Sequence, residues 1–237
     1  MLRYYSLPLK LSLHVEKRLK MAQYTTDISK QDAIKIVVAC ADKYNIELKD
    51  KTLLFLCIDK HYRISYLECS FSAINYLHLT GLKVHDVDDG FGNKHTLSAS
   101  DFYEKCITHH LSINDFEFAK DGTTPLKLAV LSHVISKNLS ANTIGNFNSA
   151  TPLLRTDKLV GSVTACMGFI NIKGRFIPNT VLNKDIRDYI NDSVRIIATF
   201  RRNTSDAKYS ELTYKAKKVD WERVVIPKNV EYLGELL

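Results

Sequence analysis

The amino-acid sequence predicts an α+β fold with a mostly antiparallel sheet. Helical periodicity comes first along the chain, and a β-rich half follows from about residue 146. Such segregation of helices from strands is typical of α+β domains, whereas a regular βαβ alternation predicts a parallel sheet. The 237 residues, of which 45% are hydrophobic, are enough to bury a core. We therefore expect residues 26–237 to form a single α+β domain.

The first half begins with a helix and a pair of strands. Residues 29–46 predict a helix that Ser29 or Asp27 can cap, because apolar residues recur there at helical spacing. Residues 52–59 form a nearly continuous apolar run, as expected of a buried strand. Residues 62–70 alternate apolar and polar side chains, so they predict a neighbouring strand joined by a tight hairpin.

Three further helices are expected before the chain becomes β-rich. The first covers residues 71–79 and stops at Gly81. The second starts at Ser98, which forms a capping-box pattern with the residue three positions on, and runs to about residue 110. The third starts at Thr124, with a proline at its first helical position, and runs to about residue 138. A polar loop is expected between the first two, over residues 85–97.

The second half predicts short strands and one helical segment. Residues 159–171 read as a strand that a glycine breaks, and a hairpin turn at residues 172–175 leads into a strand over 175–182, whose later part Pro178 demotes to an edge or a bend. The other expected elements are helical turns over 184–190, strands over 194–200 and 211–216, and a short strand within 223–233.

The two ends of the chain are basic and the middle is balanced. Residues 1–25 carry five Lys or Arg against one acid, residues 26–169 carry fifteen against sixteen, and residues 170–237 carry thirteen against nine. This distribution favours a phosphate-rich partner such as RNA, although a modest positive surplus is also ordinary for a soluble protein. Residues 1–25 are either a basic N-terminal arm or a mis-called start, because Met21 opens a more ordinary beginning.

Composition also bears on where the protein works. No apolar run approaches the roughly 18–20 residues that span a bilayer, and Lys10 interrupts the apolar stretch in which a signal peptide would need continuity. The five cysteines form no C-x-x-C pair, and most sit in apolar runs, which predicts buried free thiols. We expect a cytoplasmic protein that does not associate with a membrane.

Motifs for metal or nucleotide chemistry are missing from the sequence. No H-x-x-x-H or H-E-x-x-H pattern occurs, and the adjacent pair His109 and His110 would point about 100° apart on a helix. Neither a G-x-x-x-x-G-K-[ST] loop nor a G-x-G-x-x-G loop is present. We therefore expect no metal site and no cofactor.

Acid–base cleavage of RNA needs neither, and the chain carries the residue types for it. A base removes the proton of the 2′-hydroxyl, an acid protonates the leaving oxygen, and cations or hydroxyls stabilise the charged phosphorane. Two groups supply such residues: His78 with Thr80, and the hairpin of Lys173 and Arg175 followed by Asn179 and Thr180. The third contributor is either Arg195 on a late strand or the pairs Lys208-Tyr209 and Tyr214-Lys215. The alternatives are structural: a half-buried histidine, a turn-closing Thr80, a solvated hairpin and a capping Thr180.

Three short phrases in the chain resemble one family. They are residues 75–81 (NYLHLTG), 98–103 (SASDFY) and 176–180 (FIPNT), the last followed by Asp185-Ile186-Arg187. Together they are similar to a phage-associated nuclease-like family of the barnase/EndoU/colicin/RelE-like group, which is carried on bacterial mobile elements. The resemblance covers roughly residues 29–217. It implies helices in the N-terminal part, packed on a small curved antiparallel sheet, and a metal-independent ribonuclease activity.

The resemblance carries over only the matched site residues. These are His78 and Thr80 from the first phrase and Asn179 and Thr180 from the third; it does not say which acts as base or acid. The β-rich half has no histidine, because His133 is the last one in the chain. A second acid or base must therefore come from another part of the chain or from a Lys, Arg or Tyr.

Three functions are consistent with the sequence. The first is an RNA-cleaving, toxin-like ribonuclease in which His78 acts as acid or base, Thr80 positions the phosphate, and Lys173, Arg175 or Arg195 stabilises its charge. The second is a nucleic-acid-binding module that does not cleave. The third is a protein-interaction module, for example an inhibitor that binds a host or phage protein.

Overall fold

The computed structural model describes residues 28–88, 94–150 and 154–237. The predicted arm at residues 1–25 lies outside the described residues. The α-helices are α1 (Lys30–Glu47), α2 (Tyr76–Thr80), α3 (Ala99–Ile107) and α4 (Thr123–Val134). The strands are β1 (Lys51–Ile58), β2 (Ile64–Ser70), β3 (Leu82–Val84), β4 (Asp86–Asp88), β5 (Lys94–Thr96), β6 (Phe116–Phe118), β7 (Thr143–Phe147), β8 (Lys158–Gly161), β9 (Cys166–Ile172), β10 (Arg175–Leu182), β11 (Ile190–Asn203) and β12 (Glu211–Lys215).

Seven strands close into a mixed barrel. Its order is β1-β2-β10-β9-β8-β7-β11, and β11 pairs back onto β1, while β12 extends the sheet beside β11. Closure depends on the length of β11, whose first residues pair with β7 and whose later residues pair with β1. The pairing of β10 with β2, through Phe176 and Cys69, is parallel, and the other pairings in the barrel are antiparallel. The α+β class and a mostly antiparallel sheet are thus confirmed, but the sheet is a closed mixed barrel.

Strand β1 lies at the centre of the fold because both of its faces are buried. Leu53 and Phe55 belong to one apolar cluster with the α1 residues Val37 and Tyr44. Leu54, on the opposite face, belongs to a second cluster that includes residues from the C-terminal segment. This double burial explains why the strand reads as a continuous apolar run rather than an alternating one.

Helix boundaries follow the capping signals. The Ser29 hydroxyl accepts a hydrogen bond from the backbone N–H of Asp32 at the start of α1, and Ser98 with Asp101 forms the predicted capping box of α3. The third predicted helix differs, because α4 starts one residue before Thr124, after Gly122 in a left-handed conformation. It ends at Val134, four residues earlier than expected.

Several other expectations need correction. Helices α2 to α4 lie between β2 and β7, so the helices do not simply precede the sheet. The break predicted at a glycine within residues 159–171 is confirmed, because β8 ends at Gly161 and β9 begins at Cys166. A Cβ at Gly161 would lie 2.4 Å from the Ala165 carbonyl oxygen in the tight turn between these strands. The expected strand within 223–233 is wrong: 3₁₀ helices occupy Trp221–Arg223 and Lys228–Leu236. The expected loop over 85–97 carries a short hairpin of β4 and β5, and β7 was not predicted.

The remaining compositional predictions concern cysteines and membrane segments. All five cysteines are buried and free, as expected. No helix in the described ranges is both long enough and apolar enough to cross a bilayer.

Candidate active site

A cavity of about 250 Å³ lies where α2, the start of α4, the segment before β8 and strand β10 meet. His78, Asn179 and Thr180 line this cavity, which we call the His78 cavity. These three residues come from distant parts of the sequence, and each was predicted as a site residue. The fold therefore brings together the histidine of one phrase and the Asn-Thr pair of another.

His78 is an exposed residue of α2 that lines the cavity. Partial burial lowers the pKa of His78 below its ordinary value of 6.5, and the positive charges of Lys127 and Lys83 lower it further. The Lys127 ammonium also donates to the His78 carbonyl oxygen, at 3.5 Å. A lowered pKa keeps the imidazole neutral at pH 7, and the neutral ring is the form that can accept a proton.

The turn after α2 sets the position of both His78 and Lys127. Gly81 ends the helix with φ of +72°, a left-handed conformation that glycine adopts without strain. A Cβ at Gly81 would come within 2.7 Å of the Lys127 Cδ, so the glycine also makes room for the lysine stem. The Thr124 hydroxyl donates to the Gly81 carbonyl at 2.6 Å and accepts from the Ala119 N–H at 2.9 Å, which ties this turn to the loop before α4.

The opposite wall of the His78 cavity is built on a β-bulge in β10. Pro178 pairs with Phe169 and Thr180 pairs with Gly168, so Asn179 is an extra residue in β10. Bulges re-aim side chains and are common beside active sites. Here the Asn179 amide donates to the Arg155 carbonyl oxygen, and its Oδ1 accepts from the Thr156 hydroxyl at 3.2 Å. The bulge replaces the bend that the sequence predicted at Pro178.

Thr180 presents a buried hydroxyl with no partner among the described residues. Thr180 is only 5% exposed, and its Oγ1 makes no hydrogen bond to the described part of the chain. A buried hydroxyl without a partner is costly, and native proteins rarely keep one without a reason. Gly168 makes this arrangement possible, because a Cβ there would lie 2.6 Å from the Thr180 Cγ2 and 3.0 Å from the Thr156 Cγ2.

The charge around the His78 cavity is predominantly positive. Lys83, Lys127 and Arg155 line it, and Asp121 is the acidic residue of the lining. Burial lowers the pKa of Lys127, while Asp121 opposes that shift. Hydrogen bonds from the side chain and backbone of Thr123 lower the pKa of Asp121, so this carboxylate stays ionised. Three cations against one carboxylate favour an anionic ligand such as a phosphate.

Thr80 does not line this cavity. It is fully buried, and its hydroxyl donates to the Leu77 carbonyl at 2.8 Å and accepts from the Leu82 N–H at 3.1 Å. Both hydrogen-bonding functions of the hydroxyl are thus used inside the turn after α2. This geometry agrees with the alternative in which Thr80 closes a turn. Of the pair His78 and Thr80, only His78 lines the cavity.

The basic residues predicted to bind substrate are not gathered at the His78 cavity. Lys173 and Arg175 lie exposed on the hairpin that joins β9 to β10, and neither lines the cavity. Arg195 lies on β11 and lines a second cavity, of about 660 Å³. Among the described residues the two cavities share no lining residue.

Sequence reasoning missed the cations that do line the His78 cavity. Lys83, Lys127 and Arg155 occur on a short strand, inside a helix and in a connecting segment, and nothing in their spacing sets them apart from other surface cations. Thr156 was also missed, because its role depends on the bulge at Asn179. Within the described ranges, no three His, Cys, Asp or Glu side chains are grouped to hold a metal ion.

Comparison with known families gives one match. The sequence model of the family described as PBECR4, phage-Barnase-EndoU-ColicinE5/D-RelE like nuclease4, matches residues 36–218, which is more than half of the chain. The resemblance noted in the three sequence phrases is therefore confirmed. Neither the curated proteins nor the solved structures gave a match to this chain.

Proposed function

Because the chain belongs to this phage-Barnase-EndoU-ColicinE5/D-RelE like nuclease family, we propose that it is a metal-independent ribonuclease whose active site is the His78 cavity. Family membership supports a nuclease that acts on nucleic acid. The observation that carries the choice of site is that His78, whose pKa is lowered, shares with Asn179 and Thr180 a cavity that Lys83, Lys127 and Arg155 also line. That combination suits proton transfer at a phosphodiester.

The proposed reaction begins at the 2′-hydroxyl of the RNA. The neutral His78 imidazole takes the proton of that hydroxyl, and the oxygen attacks the adjacent phosphorus. The bond from phosphorus to the 5′-oxygen of the next nucleotide then breaks, and an acid protonates that oxygen. The products are a 2′,3′-cyclic phosphate and a free 5′-hydroxyl, so the reaction consumes no metal, cofactor or oxidant.

We assign Lys127 as the acid that protonates the leaving 5′-oxygen. Its ammonium is within 3.5 Å of the His78 carbonyl oxygen, and burial lowers its pKa, which makes its proton easier to donate. This assignment supplies the second acid–base group without a second histidine. Lys83 and Arg155 stabilise the charge that builds on the phosphate oxygens.

The remaining site residues position these groups. Asn179 fixes the segment that carries Arg155. The Thr180 hydroxyl oxygen is buried in the free protein, so the side chain rotates when RNA binds and then donates to a phosphate oxygen. Thr80 acts through the turn that holds His78 rather than by touching RNA. Lys173 and Arg175 take no part in the proposed reaction, because they lie outside the cavity.

The proposal places the activity in the cytoplasm of a bacterium, where RNA is the substrate, and gives the protein a phage or mobile-element origin. RNA cleavage there makes the protein toxic, so a host or phage protein that inhibits it is an expected partner. Slow growth of a bacterium that expresses the wild type, relieved by His78→Ala, is the expected sign of this toxicity.

Cleavage of total RNA in EDTA tests the proposal directly. We expect discrete fragments from the wild type and a roughly 100- to 10,000-fold slower cleavage by His78→Ala, because removal of a proton-transfer residue has that effect. His110→Ala is the matched control and should cleave at the wild-type rate, since His110 is exposed three residues after the end of α3 and does not line the His78 cavity.

Two outcomes would contradict the proposal. Wild-type cleavage by a folded His78→Ala protein would remove His78 from the reaction, and cleavage that EDTA abolishes and Mg²⁺ restores would exclude the metal-free mechanism. If folded wild type gives no fragments, the module that binds nucleic acid without cleaving it becomes the better account, or, if it binds none, a protein-interaction module does.

A further inference from the structure

The second cavity lies near the start of β2, whose first residue, Ile64, pairs with Ile58 of the cavity lining. It is lined by Ile58, the last residue of β1, and by Arg195 of β11, which pairs with Ile58 in the barrel. The segment after β12 supplies Lys218 and Arg223 to the same lining. We call this surface the Arg195 groove.

The positive charges of the Arg195 groove are available to a ligand. Lys60, Arg195, Lys218 and Arg223 line it. In the part of the chain that the structure describes, Lys60, Arg195 and Lys218 form no ion pair; Arg195 donates instead to the Lys218 carbonyl oxygen at 3.4 Å. All four residues are exposed. A ligand with several negative charges can therefore reach them from solvent.

The acidic residues of the groove already have partners. The Asp59 carboxylate accepts hydrogen bonds from the backbone N–H groups of Arg63 and His61, at 2.9 and 2.8 Å, and from the Arg63 guanidinium at 2.7 Å. The pKa of Asp59 is lowered to about 2, and the hydrogen bond from the Arg63 backbone N–H makes the largest contribution. Asp220 lies 3.4 Å from the Arg223 guanidinium. The groove therefore has a surplus of positive charge.

An aromatic ring stands beside these charges. Tyr62 lines the groove at the turn between β1 and β2, and the residue is 77% exposed. Its backbone has φ of +62°, a conformation that is uncommon for a bulky residue and often marks a functional position. An exposed aromatic ring next to a row of cations is the arrangement with which proteins bind single-stranded nucleic acid, since bases stack on the ring and phosphates meet the cations.

We propose that the Arg195 groove binds a single-stranded stretch of RNA outside the active site. Arg195, Lys60 and Lys218 contact phosphates, and Tyr62 stacks on a base. This inference rests on the proposed function, because the bound strand is the substrate that the His78 cavity cleaves. The groove holds a long RNA while another part of the same strand enters that cavity.

The path of β2 gives the separation of the two sites. Ile64, the first residue of β2, pairs with Ile58 at the groove, whereas Cys69, near its last residue, pairs with Phe176, three residues before Asn179 of the His78 cavity. At about 3.3 Å per residue, the two sites are on the order of 20 Å apart. A strand that reaches both must be several nucleotides long, so short substrates should bind more weakly than long ones.

Binding of an uncleavable RNA tests the groove separately from catalysis. The probe is a fluorescent 2′-O-methyl oligoribonucleotide, which has no 2′-hydroxyl to attack and stays intact whether or not the protein is a nuclease. We expect Arg195→Gln/Lys218→Gln to weaken its binding at least tenfold at low salt. The slope of log K against log salt should become shallower by about 1.4, since each phosphate contact with a single strand contributes about 0.7. Tyr62→Ser should weaken binding about tenfold, and Tyr62→Phe should bind like the wild type.

The chain offers a matched control for charge. Lys173→Gln/Arg175→Gln removes the same two charges from an exposed hairpin outside the groove and should change binding less than twofold. Equal losses in the two double variants would overturn the proposal, as would unchanged binding by Arg195→Gln/Lys218→Gln. Competition by polyglutamate as strong as that by RNA would identify an acidic protein as the ligand instead. Failure of the wild type to cleave RNA would leave the binding result unaffected, so the two proposals fail separately.

Discussion

The His78 cavity and the Arg195 groove are two basic sites near opposite ends of β2 that differ in chemistry. The cavity, at about 250 Å³, is lined by a histidine and a lysine of lowered pKa and by Thr180, whose buried hydroxyl has no partner among the described residues. The groove, at about 660 Å³, has cations and an exposed tyrosine, and no histidine lies in its described lining. One site combines a histidine and a lysine whose pKa values burial lowers, and the other combines exposed cations with an exposed aromatic ring.

The environments of the cations explain this division. Lys127 lies with its stem packed over Gly81 and loses solvent, so its charge acts in a medium of lower dielectric constant. Arg195 and Lys218 remain exposed, where salt screens them and their charges attract a strand without fixing it. Transition-state stabilisation needs the first arrangement, whereas capture of a long polyanion is better served by the second.

Gly168→Ala is expected to damage the His78 cavity more than any other change outside its lining. The new Cβ would lie 2.6 Å from the Thr180 Cγ2, so Thr180 and Thr156 must move. Overpacking of this kind costs about 1–3 kcal/mol in the free energy of unfolding, and a displacement of about 1 Å at a site can slow a reaction roughly 100-fold. Chemical denaturation and RNA cleavage in EDTA measure the two effects.

Gly234→Ala is the control for this substitution, because a Cβ there would make only an ordinary contact, 3.5 Å from the Ile226 Cδ1. Binding of the uncleavable RNA should stay within about twofold in both variants. If Gly168→Ala weakens that binding as much as it slows cleavage, the two sites are not independent.

A change of pH should affect RNA cleavage and leave RNA binding almost unchanged, and this effect on cleavage should be smaller than that of Gly168→Ala. The pKa of His78 in the folded protein lies below 6.5, and the reaction needs the neutral ring. Cleavage should therefore fall about tenfold for each pH unit below that pKa, and it should also fall at high pH, where Lys127, the assigned acid, loses its proton. Asp59, the groove carboxylate with a pKa of about 2, does not titrate in this range, so RNA binding should change little between pH 5 and 8. A rate that rises as the pH falls from 7 to 5 would contradict the assignment of His78 as base.

The fold could be predicted from the sequence where the signal is local. The capping serines of α1 and α3, the continuous apolar run of β1 and the hairpin before β10 all lie where the pattern indicated. Closure of the barrel could not be predicted, because it depends on β11 pairing with two strands from distant parts of the chain, β1 and β7. The C-terminal 3₁₀ segment was mistaken for a strand, since its apolar residues cover one face of β1 at a spacing that short strands also show.

The candidate site divides in the same way. His78, Asn179 and Thr180 were identified from residue type and from the resemblance, and the structure brings them to one cavity. Lys127 could not be predicted, because its place depends on the packing of α4 against the glycine that ends α2. The alternative reading of Thr180 as a helix cap fails on the structure: Thr180 lies within β10, and Asp185 caps the following 3₁₀ turn.

Thr180→Val gives the smallest expected effect and the most specific one. Valine keeps the shape of the side chain and removes a hydroxyl that has no partner in the described protein, so the free energy of unfolding should not fall. Loss of one hydrogen bond to a charged phosphate should slow cleavage about tenfold, which corresponds to roughly 1.5 kcal/mol. Steady-state cleavage of a defined RNA by the folded variant measures it.

Thr199→Val is the matched control for that hydroxyl. Thr199 is also buried, and its Oγ1 has no hydrogen-bond partner among the described residues, but it lies on β11 and lines neither the His78 cavity nor the Arg195 groove. The two variants should therefore gain or keep stability to the same extent, while only Thr180→Val loses activity. If both variants cleave equally well, the buried hydroxyl of Thr180 serves no purpose in the reaction, and the case for the His78 cavity depends on His78 and its cations alone.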